Sequence, residues 1–492
     1  AAADNDSDGL SNLDEYLNGT NVNYSDSDFD GLSDNVEIVS GLNPLAAELK
    51  PTQVQSVLNS GDTYYAGSLS ITQDDAFIYT AGFLNGIRVQ SRNRDTGQLI
   101  EVQQIDPGSV QVLALSPDDQ FVYAANDAVT DMLLVYRRNR HTGMLTLEQT
   151  LKDDVLDARS LNAVKGIAVS PDSQFVYVSG DEGVAVYGRN QQGRLSLVQR
   201  ILDGTLVDGT VVDKIDNSRV FMAPDGNHVY ATGESYITEF TRDEVTGELS
   251  PSFKQSTSNV NSLTFNADGT ELYASISTGV YVYSRAPLLG MGGYLNYVSQ
   301  SNNTDIALHA GGKWLYAVSP TYDTLKVKER GSLTKVYHKV VDQYFRDHFS
   351  VMLSRDGRFI YNGGLNYLTV FKHDIGWKRD TDGDGIADET DTDIDGDGVA
   401  NELDVFDYDA TETLDSDNDG TGDNADAFPN DANEILDSDG DGIGNSDDLD
   451  NDNDGMPDSW EISRNLDPFK DDAAADNDSD GLSNLDEYLN AA

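Results

Sequence analysis

Residues 115–126 read LSPDDQFVYAAN. Pro117 presets its own φ, and Asp118 and Asp119 tolerate a tight corner, so the first half is a turn. The second half, from Phe121, is apolar and aromatic and reads as a strand. The unit returns as ITQDDAFIYTAG (71–82), VSPDSQFVYVSG (169–180), MAPDGNHVYATG (222–233), FNADGTELYASI (265–276), HAGGKWLYAVS (309–319) and LSRDGRFIYNGG (353–364). Its tyrosines, Tyr79, Tyr123, Tyr177, Tyr230, Tyr273, Tyr316 and Tyr361, are spaced 44, 54, 53, 43, 43 and 45 residues apart. A period of roughly 40–50 residues with several short strands per unit is the pattern of a β-propeller, and seven units predict seven blades. An open β-sandwich does not explain so regular a series. Each tyrosine strand is expected to alternate apolar and polar residues.

A second strand follows each tyrosine strand, as in LLVYRRN (133–139), VAVYGRN (184–190) and VYVYSR (280–285). A glycine turn and a third strand come next: DTGQLIEVQQ (95–104), HTGMLTLEQT (141–150), QQGRLSLVQR (191–200) and VTGELSPSFK (245–254). This set resembles the lactonase-type seven-bladed propeller over about 52–375. The resemblance implies the fold and brings lactone hydrolysis into question, but no family catalytic residue maps onto this chain by motif. TQVQSVLN (52–59) precedes the first repeat and is expected to serve as the outer strand of the seventh blade, closing the ring and leaving no free sheet edge.

The 492-residue chain has 86 acidic and 32 basic side chains, a net charge of −54, and no cysteine. Disulfides and thiolate chemistry are excluded. The charge argues against nucleic acid and anionic membranes and for cations as partners. No apolar run approaches the ~20 residues of a membrane helix, so no span is expected. No signal peptide opens the sequence, and an exported protein would have lost it. The charge is uneven: net −10 in 1–50, −9 in 51–375 and −35 in 376–492.

The acidic flanks are spaced rather than random. In DNDSDGLSNLDE, Asp4, Asp6 and Asp8 fall at positions 1, 3 and 5 of a twelve-residue loop, Gly9 at 6, Leu10 at 7, Asn12 at 9 and Glu15 at 12. That is the EF-hand-type calcium loop: alternate carboxylates converge on one point, glycine permits the sharp turn, the carbonyl of position 7 adds an oxygen, and position 12 closes the shell. The pattern recurs as Asp26, Asp28, Asp30, Leu32, Asp34 and Glu37, and as Asp380, Asp382, Asp384, Ile386, Asp388 and Asp391. It continues with Asp393, Asp395, Asp397, Val399, Asn401 and Asp404, then Asp415, Asp417, Asp419, Thr421, Asp423 and Asp426. The last three loops are Asp437, Asp439, Asp441, Ile443, Asn445 and Asp448; Asp450, Asp452, Asp454, Met456, Asp458 and Glu461; and Asp476, Asp478, Asp480, Leu482, Asn484 and Glu487. Loops closed by glutamate adjoin short helical stretches, whereas loops closed by aspartate run almost directly into the next. The loop starts in the C-terminal flank step by 13, 22, 22, 13 and 26 residues, which resembles bacterial thrombospondin type 3 repeats. Animal versions carry cysteines and this chain has none, so calcium alone would hold the array. About eight Ca2+ ions are expected. Without metal the loops should be extended; with it, compact and stiff.

Catalytic signals are sparse. No nucleophile elbow, paired-histidine motif or phosphate loop occurs among the six histidines, His141, His228, His309, His338, His348 and His373. Arg137, Arg138, Arg189 and Arg285 read as solvated blade edges rather than an active site. Asn18, Asn23 and Asn302 sit in glycosylation triplets.

Residues 1–18, AAADNDSDGLSNLDEYLN, reappear unchanged at 473–490. This reads as one 472-residue period of a tandem polymer, with a short duplication as the plainer reading. The expected architecture is mainly β: two calcium loops in 1–50, a seven-bladed β-propeller in 51–375, and six loops in 376–492, the last duplicating residues 1–18. The expected function is a secreted, calcium-binding structural or adhesive protein of a bacterial surface, with propeller beads on rigid calcium spacers. Other copies of itself, and glycans or a host surface, are its expected partners, and no catalytic residue is assigned. The alternative is a secreted lactonase-like hydrolase, or a glycan-binding propeller, with a calcium-stabilised tether.

Overall fold

The computed structural model describes residues 4–491 apart from a set of loop positions, the longer stretches being 28–33, 39–43, 45–51, 59–66, 127–131, 153–162, 295–304, 328–332, 341–347 and 374–378. The chain forms two compact units, residues 1–138 with 143–379, and residues 380–492 with the turn 139–142.

Among the described residues, the first unit contains seven four-stranded antiparallel sheets. Each is a blade. The inner strands are Ser68–Ile71, Val110–Leu115, Gly166–Val169, Arg219–Met222, Val260–Phe265, Asp305–Leu308 and His348–Leu353. The tyrosine strand comes second in each blade. Thr52–Leu58 pairs with Tyr367–Lys372 as the outermost strand of the seventh blade, with Thr52 opposite Lys372 and Leu58 opposite Tyr367. Chain start and chain end of the propeller thus mate in one sheet. A separate hairpin, Thr205–Val207 with Thr210–Val212, sits between the third and fourth blades and lengthens the spacing there.

The tyrosine strands do not alternate. Phe77–Gly82 and Phe359–Gly364 are buried along their whole length. The reason is that each has a blade on either side. Tyr79 packs with Val122 and Ala124 of the second blade, whereas Ile78 packs with Phe359 and Tyr361 of the seventh. All seven repeat tyrosines are buried to below 2% exposure. A hydroxyl taken from water at such depth needs a partner. Tyr79 donates to the carbonyl of Gly143 in the next blade at 2.8 Å, and Tyr177 to Gly247 at 3.1 Å.

Arginines complete the joints, which corrects the solvated-edge reading. Arg138 donates to Tyr79 Oη at 2.7 Å and Arg242 to Tyr177 Oη at 2.9 Å. Arg92 does the same to Tyr361 across the ring closure. These guanidiniums also reach back to the preceding blade's corner: Arg242 pairs with Asp172 at 2.5 Å, Arg189 with Asp118 at 2.5 Å, and Arg285 with Asp225. They lie over the preceding blade's rings, with Arg138 5.3 Å from Phe77 and Arg189 4.9 Å from Phe121. Arg137, less buried, lies over Phe121 at 5.0 Å and pairs with Glu148 at 3.0 Å. None of the four is a solvated edge: Arg138, Arg189 and Arg285 tie blade to blade, and Arg137 donates to the carbonyl of Gln192 in the next blade at 3.1 Å.

The glycine of each TGxL turn has one job that other residues cannot do. Gly143 has φ +69°, and a Cβ there would lie 2.3 Å from the Phe77 ring. The outer rim has its own ladder. Gln103 holds both backbone groups of Leu145 in the next blade, accepting at 2.7 Å and donating at 3.1 Å. Gln55, Gln149 and Gln199 hold Leu99, Leu195 and Leu249 in the same way.

The second unit is built from acidic turns. Its buried apolar side chains are few: Ile394, Phe406 and Met456 among the described residues. Among the described residues, helix α1 (Asn12–Asn18) belongs to the first unit, and α2 (Asp458–Ser463) and α3 (Asn484–Ala491) belong to the second. Among the described residues no helix is long and apolar enough to cross a membrane.

Candidate functional site

Two features of the molecule present chemistry: a channel at the propeller axis and the acidic loops.

The inner strands of all seven blades enclose a cavity of about 210 Å³. One polar residue per blade faces this region: Ser68, Gln111, Lys165, Arg219, Ser262, Asp305 and Ser350. Leu69, Val112, Ile167, Val220, Phe221 and Val351 supply apolar wall between them. Several of the polar groups also bind blade to blade. Ser68 Oγ donates to the carbonyl of Leu113 at 3.3 Å and accepts from its N–H at 3.2 Å. Arg219 Nη1 donates to the carbonyl of Asn261 at 2.6 Å. Asp305 accepts N–H donors from Val351 at 2.9 Å and from its own neighbour Ile306 at 2.9 Å. Burial raises the Asp305 carboxyl above its ordinary value, against the opposing pull of Ser262 and Arg219. Lys165 pairs with Asp181 at 3.0 Å. Gly166 lets the third and fourth inner strands approach, since a Cβ there would lie 2.6 Å from Val220 N. Lys165, one residue before the third inner strand, and Arg219, on the fourth, therefore stand on adjacent blades, and the channel presents two cations in a strongly acidic chain.

These channel residues escaped the sequence reading. The signal was present: each lies eleven or twelve residues before its blade's repeat tyrosine. Among the histidines whose side chains are described, none lines the channel. His309 is buried, accepts from Gly311 N at 2.9 Å and contacts the Gly357 carbonyl at 3.2 Å. His373 is buried against Trp314 and meets Tyr316 Oη at 2.6 Å. The side chains of His338 and His348 lie outside the described residues.

In the acidic loops the carboxylates at positions 1, 3 and 5 converge. Asp4, Asp6 and Asp8 can bring one oxygen each within 4.8 Å of one another, as can Asp380, Asp382 and Asp384, Asp393, Asp395 and Asp397, Asp415, Asp417 and Asp419, and Asp437, Asp439 and Asp441. Backbone donors hold them. The glycine N–H at position 6 bonds to the position 1 carboxylate in Gly9–Asp4 at 3.1 Å, Gly398–Asp393 at 3.1 Å, Gly420–Asp415 at 2.9 Å, Gly442–Asp437 at 3.0 Å, Gly455–Asp450 at 3.1 Å and Gly481–Asp476 at 2.9 Å. The position 7 N–H bonds to the position 5 carboxylate, as from Leu10, Ile386, Val399, Thr421, Ile443 and Met456.

Position 9 is turned to a different task. Asp388, Asn401, Asp423, Asn445 and Asp458 accept the N–H of position 2 at 2.7–2.9 Å, and Asp388 and Asp423 use the second oxygen for the position 2 hydroxyl. Asp34 does the same with Ser27. Asn484 accepts from Asn477 at 3.3 Å. These side chains brace the loop. Asp26, Asp28, Asp30, Leu32, Glu37, Asp478 and Asp480 lie outside the described residues.

The charge these loops hold inward is poorly met by the protein. One buried oxygen each of Asp6, Asp393, Asp395, Asp417, Asp419, Asp450 and Asp452, and both oxygens of Glu15 and Glu461, have no hydrogen-bond partner. Glu15 and Glu461 are fully buried. Burial, then Asp452, Asp454 and other carboxylates, pushes Glu461 up to about 8. Burial first, then Asp6, Asp8 and Asp4, raises Glu15. A set of inward oxygens that penalise one another is the chemistry of a hard-cation site. The position 12 aspartates are partly committed: Asp404 accepts from Phe406, Asp426 from Phe428, Asp448 from Leu449 and Asp391 from Asp393.

Two further acids escaped the sequence reading. Glu412 and Glu434 are buried and accept N–H donors at 3.1 and 3.0 Å from Asn424 and Ser446 of the following loop. Each precedes its loop start by three residues, and each lies against a position 8 glycine, Gly422 or Gly444, where a Cβ would come within 2.0–2.1 Å.

Residues 30–155 match the family described as lactonase, seven-bladed β-propeller. This is about a quarter of the chain and takes in the first two blades. No curated protein matches the chain. Among solved structures, the Bacteroides uniformis protein assigned as a 6-phosphogluconolactonase is 17% identical, covering 58% of this chain and 88% of its own, with a TM-score of 0.47. The periplasmic gluconolactonase of Pseudomonas aeruginosa is 17% identical, covering 56% and 85%, with a TM-score of 0.47. Hydrazine synthase of Kuenenia stuttgartiensis is 17% identical, covering 64% and 98%, with a TM-score of 0.47.

Proposed function

We propose that this is a calcium-loaded, lactonase-like propeller protein that handles a small lactone or acidic ligand at the propeller axis. The observation that carries the reading is the ring of seven polar residues around a cavity of about 210 Å³, with Lys165 and Arg219 on adjacent blades. A channel packed shut with apolar side chains would have excluded it. The family match over 30–155 favours the lactone side of the reading. In lactone hydrolysis a water oxygen adds to the ring carbonyl, the ring C–O ester bond breaks, and the ring oxygen takes a proton. Negative charge grows on the carbonyl oxygen, and a fixed guanidinium or ammonium group stabilises it. Lys165 and Arg219 are the residues for that role, or for holding an acidic substituent. Turnover of a panel of free and phosphorylated aldonolactones by the full chain tests this. Arg219→Ala is expected to lower kcat/KM by at least about tenfold, about 1.4 kcal/mol of transition-state stabilisation. A panel with neither turnover nor binding sinks the reading.

The loops take Ca2+ in this proposal. Positions 1, 3, 5 and 12 supply the carboxylates, position 7 the carbonyl, and position 9 the brace. The metal supplies the positive charge the loops lack, and an extracellular setting would keep such loops filled. Calorimetric titration with calcium tests it. The second reading, a calcium-stiffened structural or adhesive filament, is favoured by the repetition of residues 1–18 at 473–490.

A further inference from the structure

Each inner strand ends in a four-residue corner that leads into the tyrosine strand, Thr72–Asp75 in the first blade and Ser354–Gly357 in the seventh. The fourth residue of a corner reaches the corner of the blade before it. Asp75 accepts the N–H groups of Arg355 and Asp356 at 2.7 and 2.8 Å, Asp119 that of Gln73 at 2.8 Å, and Ser173 Oγ that of Asp118 at 3.1 Å. Further round, a Cβ on Gly226 would stand 3.1 Å from Pro171. The corners form a collar about the axis. A strand's length separates it from the ring of Ser68 to Ser350, on the order of 10–15 Å at ~3.3 Å per residue.

The second residue of each corner sets what the collar presents. It is proline in blades two to four and alanine in blades five and six, but Gln73 in the first and Arg355 in the seventh. Proline presets such a corner, whereas the corner's geometry has no use for a guanidinium. Arg355 is exposed, and among the described residues neither its guanidinium nor the Gln73 carboxamide makes a hydrogen bond or ion pair. Arg379 comes to the same place, its Nη1 donating to the Gln73 carbonyl at 2.7 Å. Surrounding protein holds the Arg355 guanidinium below its ordinary value, Asp119 and Asp75 oppose this, and Arg379 adds to it. A side chain open to water yet closely ringed by protein lies in a concavity. The carboxylates within range are already engaged: both accept the backbone donors above, and Asp75 also faces Arg92 at 3.7 Å.

We propose that Arg355, Arg379 and Gln73 form an anion site at this collar, taking the sulfate or phosphate group of a ligand at the end of the axis opposite Lys165 and Arg219. Two guanidiniums match the charge of a tetrahedral dianion, and each offers it a planar fork of N–H donors. The Gln73 amide adds a neutral donor beside them. Two like charges held near each other repel, and a bound dianion turns that repulsion into attraction to a shared partner. The dianion comes either free or as an ester on a saccharide, and the recognising chemistry is the same. The site uses no channel residue, so it stands or falls apart from the lactone reading.

The test is equilibrium dialysis of the full chain against radiolabelled sulfate, in calcium-containing buffer of low ionic strength. Arg355→Ala is expected to weaken sulfate binding at the collar by at least about tenfold, and Arg379→Ala to do the same. Arg355→Lys keeps the charge without the fork and is expected to lose less. Arg219→Ala, in the channel, is expected to leave collar binding intact. Because the Arg355 side chain is exposed and unbonded among the described residues, Arg355→Ala should keep the wild-type unfolding midpoint. Loss of sulfate together with a lowered midpoint marks Arg355 as structural and overturns the proposal. So does a wild-type chain that takes up no sulfate, or uptake that Arg355→Ala leaves unchanged. Uptake abolished by Arg219→Ala alone keeps the channel reading and overturns the collar site. With the site established by these variants, displacement by glucose 6-sulfate at lower concentrations than by unlabelled sulfate assigns it to an ester ligand, and the reverse order to the free ion; both support it.

Discussion

In the propeller, Tyr177 is buried between blades, with Arg242 donating to its hydroxyl and Asp172 neutralising the arginine. In the acidic unit, Glu461 is buried as deeply and has neither donor nor counter-charge among the described residues. Both are polar groups withdrawn from water, at a cost of several kcal/mol for a charged group unless something compensates. The propeller writes its compensation into the sequence, as Arg242 with Asp172 and Arg189 with Asp118, or as His373 against Tyr316. The acidic loops do not, and under the calcium proposal their compensation is dissolved in the medium. The comparison teaches that a chain can keep one half self-sufficient and the other conditional on its surroundings.

The largest test of that contrast is chelation. With calcium removed, residues 380–492 are expected to open to protease along most of their length while the blades stay protected; limited proteolysis read by mass spectrometry checks this. Equal protection of both halves breaks the comparison. Next in size is the propeller's internal compensation. Arg242→Ala leaves Tyr177 and Asp172 without their donor and is expected to lower stability by about 3 kcal/mol in denaturant unfolding. Arg137→Ala, at a more exposed pair, is expected to lower it by no more than about 1 kcal/mol. A smaller, local effect is expected from Glu461→Gln, which keeps the shape and removes the charge. Calcium affinity of the 450–461 loop should fall on the order of tenfold, about 1.4 kcal/mol, with the propeller's unfolding unchanged. The smallest effect concerns pH. Burial holds His309 below the ordinary imidazole value, so the folded propeller binds fewer protons there than the unfolded chain. Its contribution is complete above the ordinary value and is lost as pH falls through that value towards the folded one. The unfolding midpoint should fall slightly on acidification below about pH 6.5, and His309→Gln should flatten the slope.

Much of this was legible in the residues. The spacing of Tyr79 through Tyr361 announces the blade count, and TQVQSVLN announces the closing strand, because repeats and end-mating are one-dimensional patterns. The role of Arg138 was not legible. A doublet such as Arg137-Arg138 looks uniformly charged in one dimension, yet one guanidinium passes under the neighbouring blade and the other stays nearer its edge. The channel ring was hidden for a related reason. Its members, from Ser68 to Ser350, share a place but not a chemistry, so no residue type marks the position. In the loops the convergence of positions 1, 3 and 5 follows from spacing. The brace at position 9 depends on which way Asp388 or Asn401 turns, and spacing is silent on rotation about a side-chain bond.

The pairing of Thr52 with Lys372 has a mechanical meaning. The polypeptide enters and leaves the propeller at the same end of two adjacent antiparallel strands. A pull on the flanking segments would peel these strands apart from that end, loading one rung of hydrogen bonds at a time rather than all together. Strands sheared along their length share the load; strands peeled apart do not. The seam that closes the ring at rest is therefore its zipper under tension, and the blade holding Phe359–Gly364 would be the first to yield.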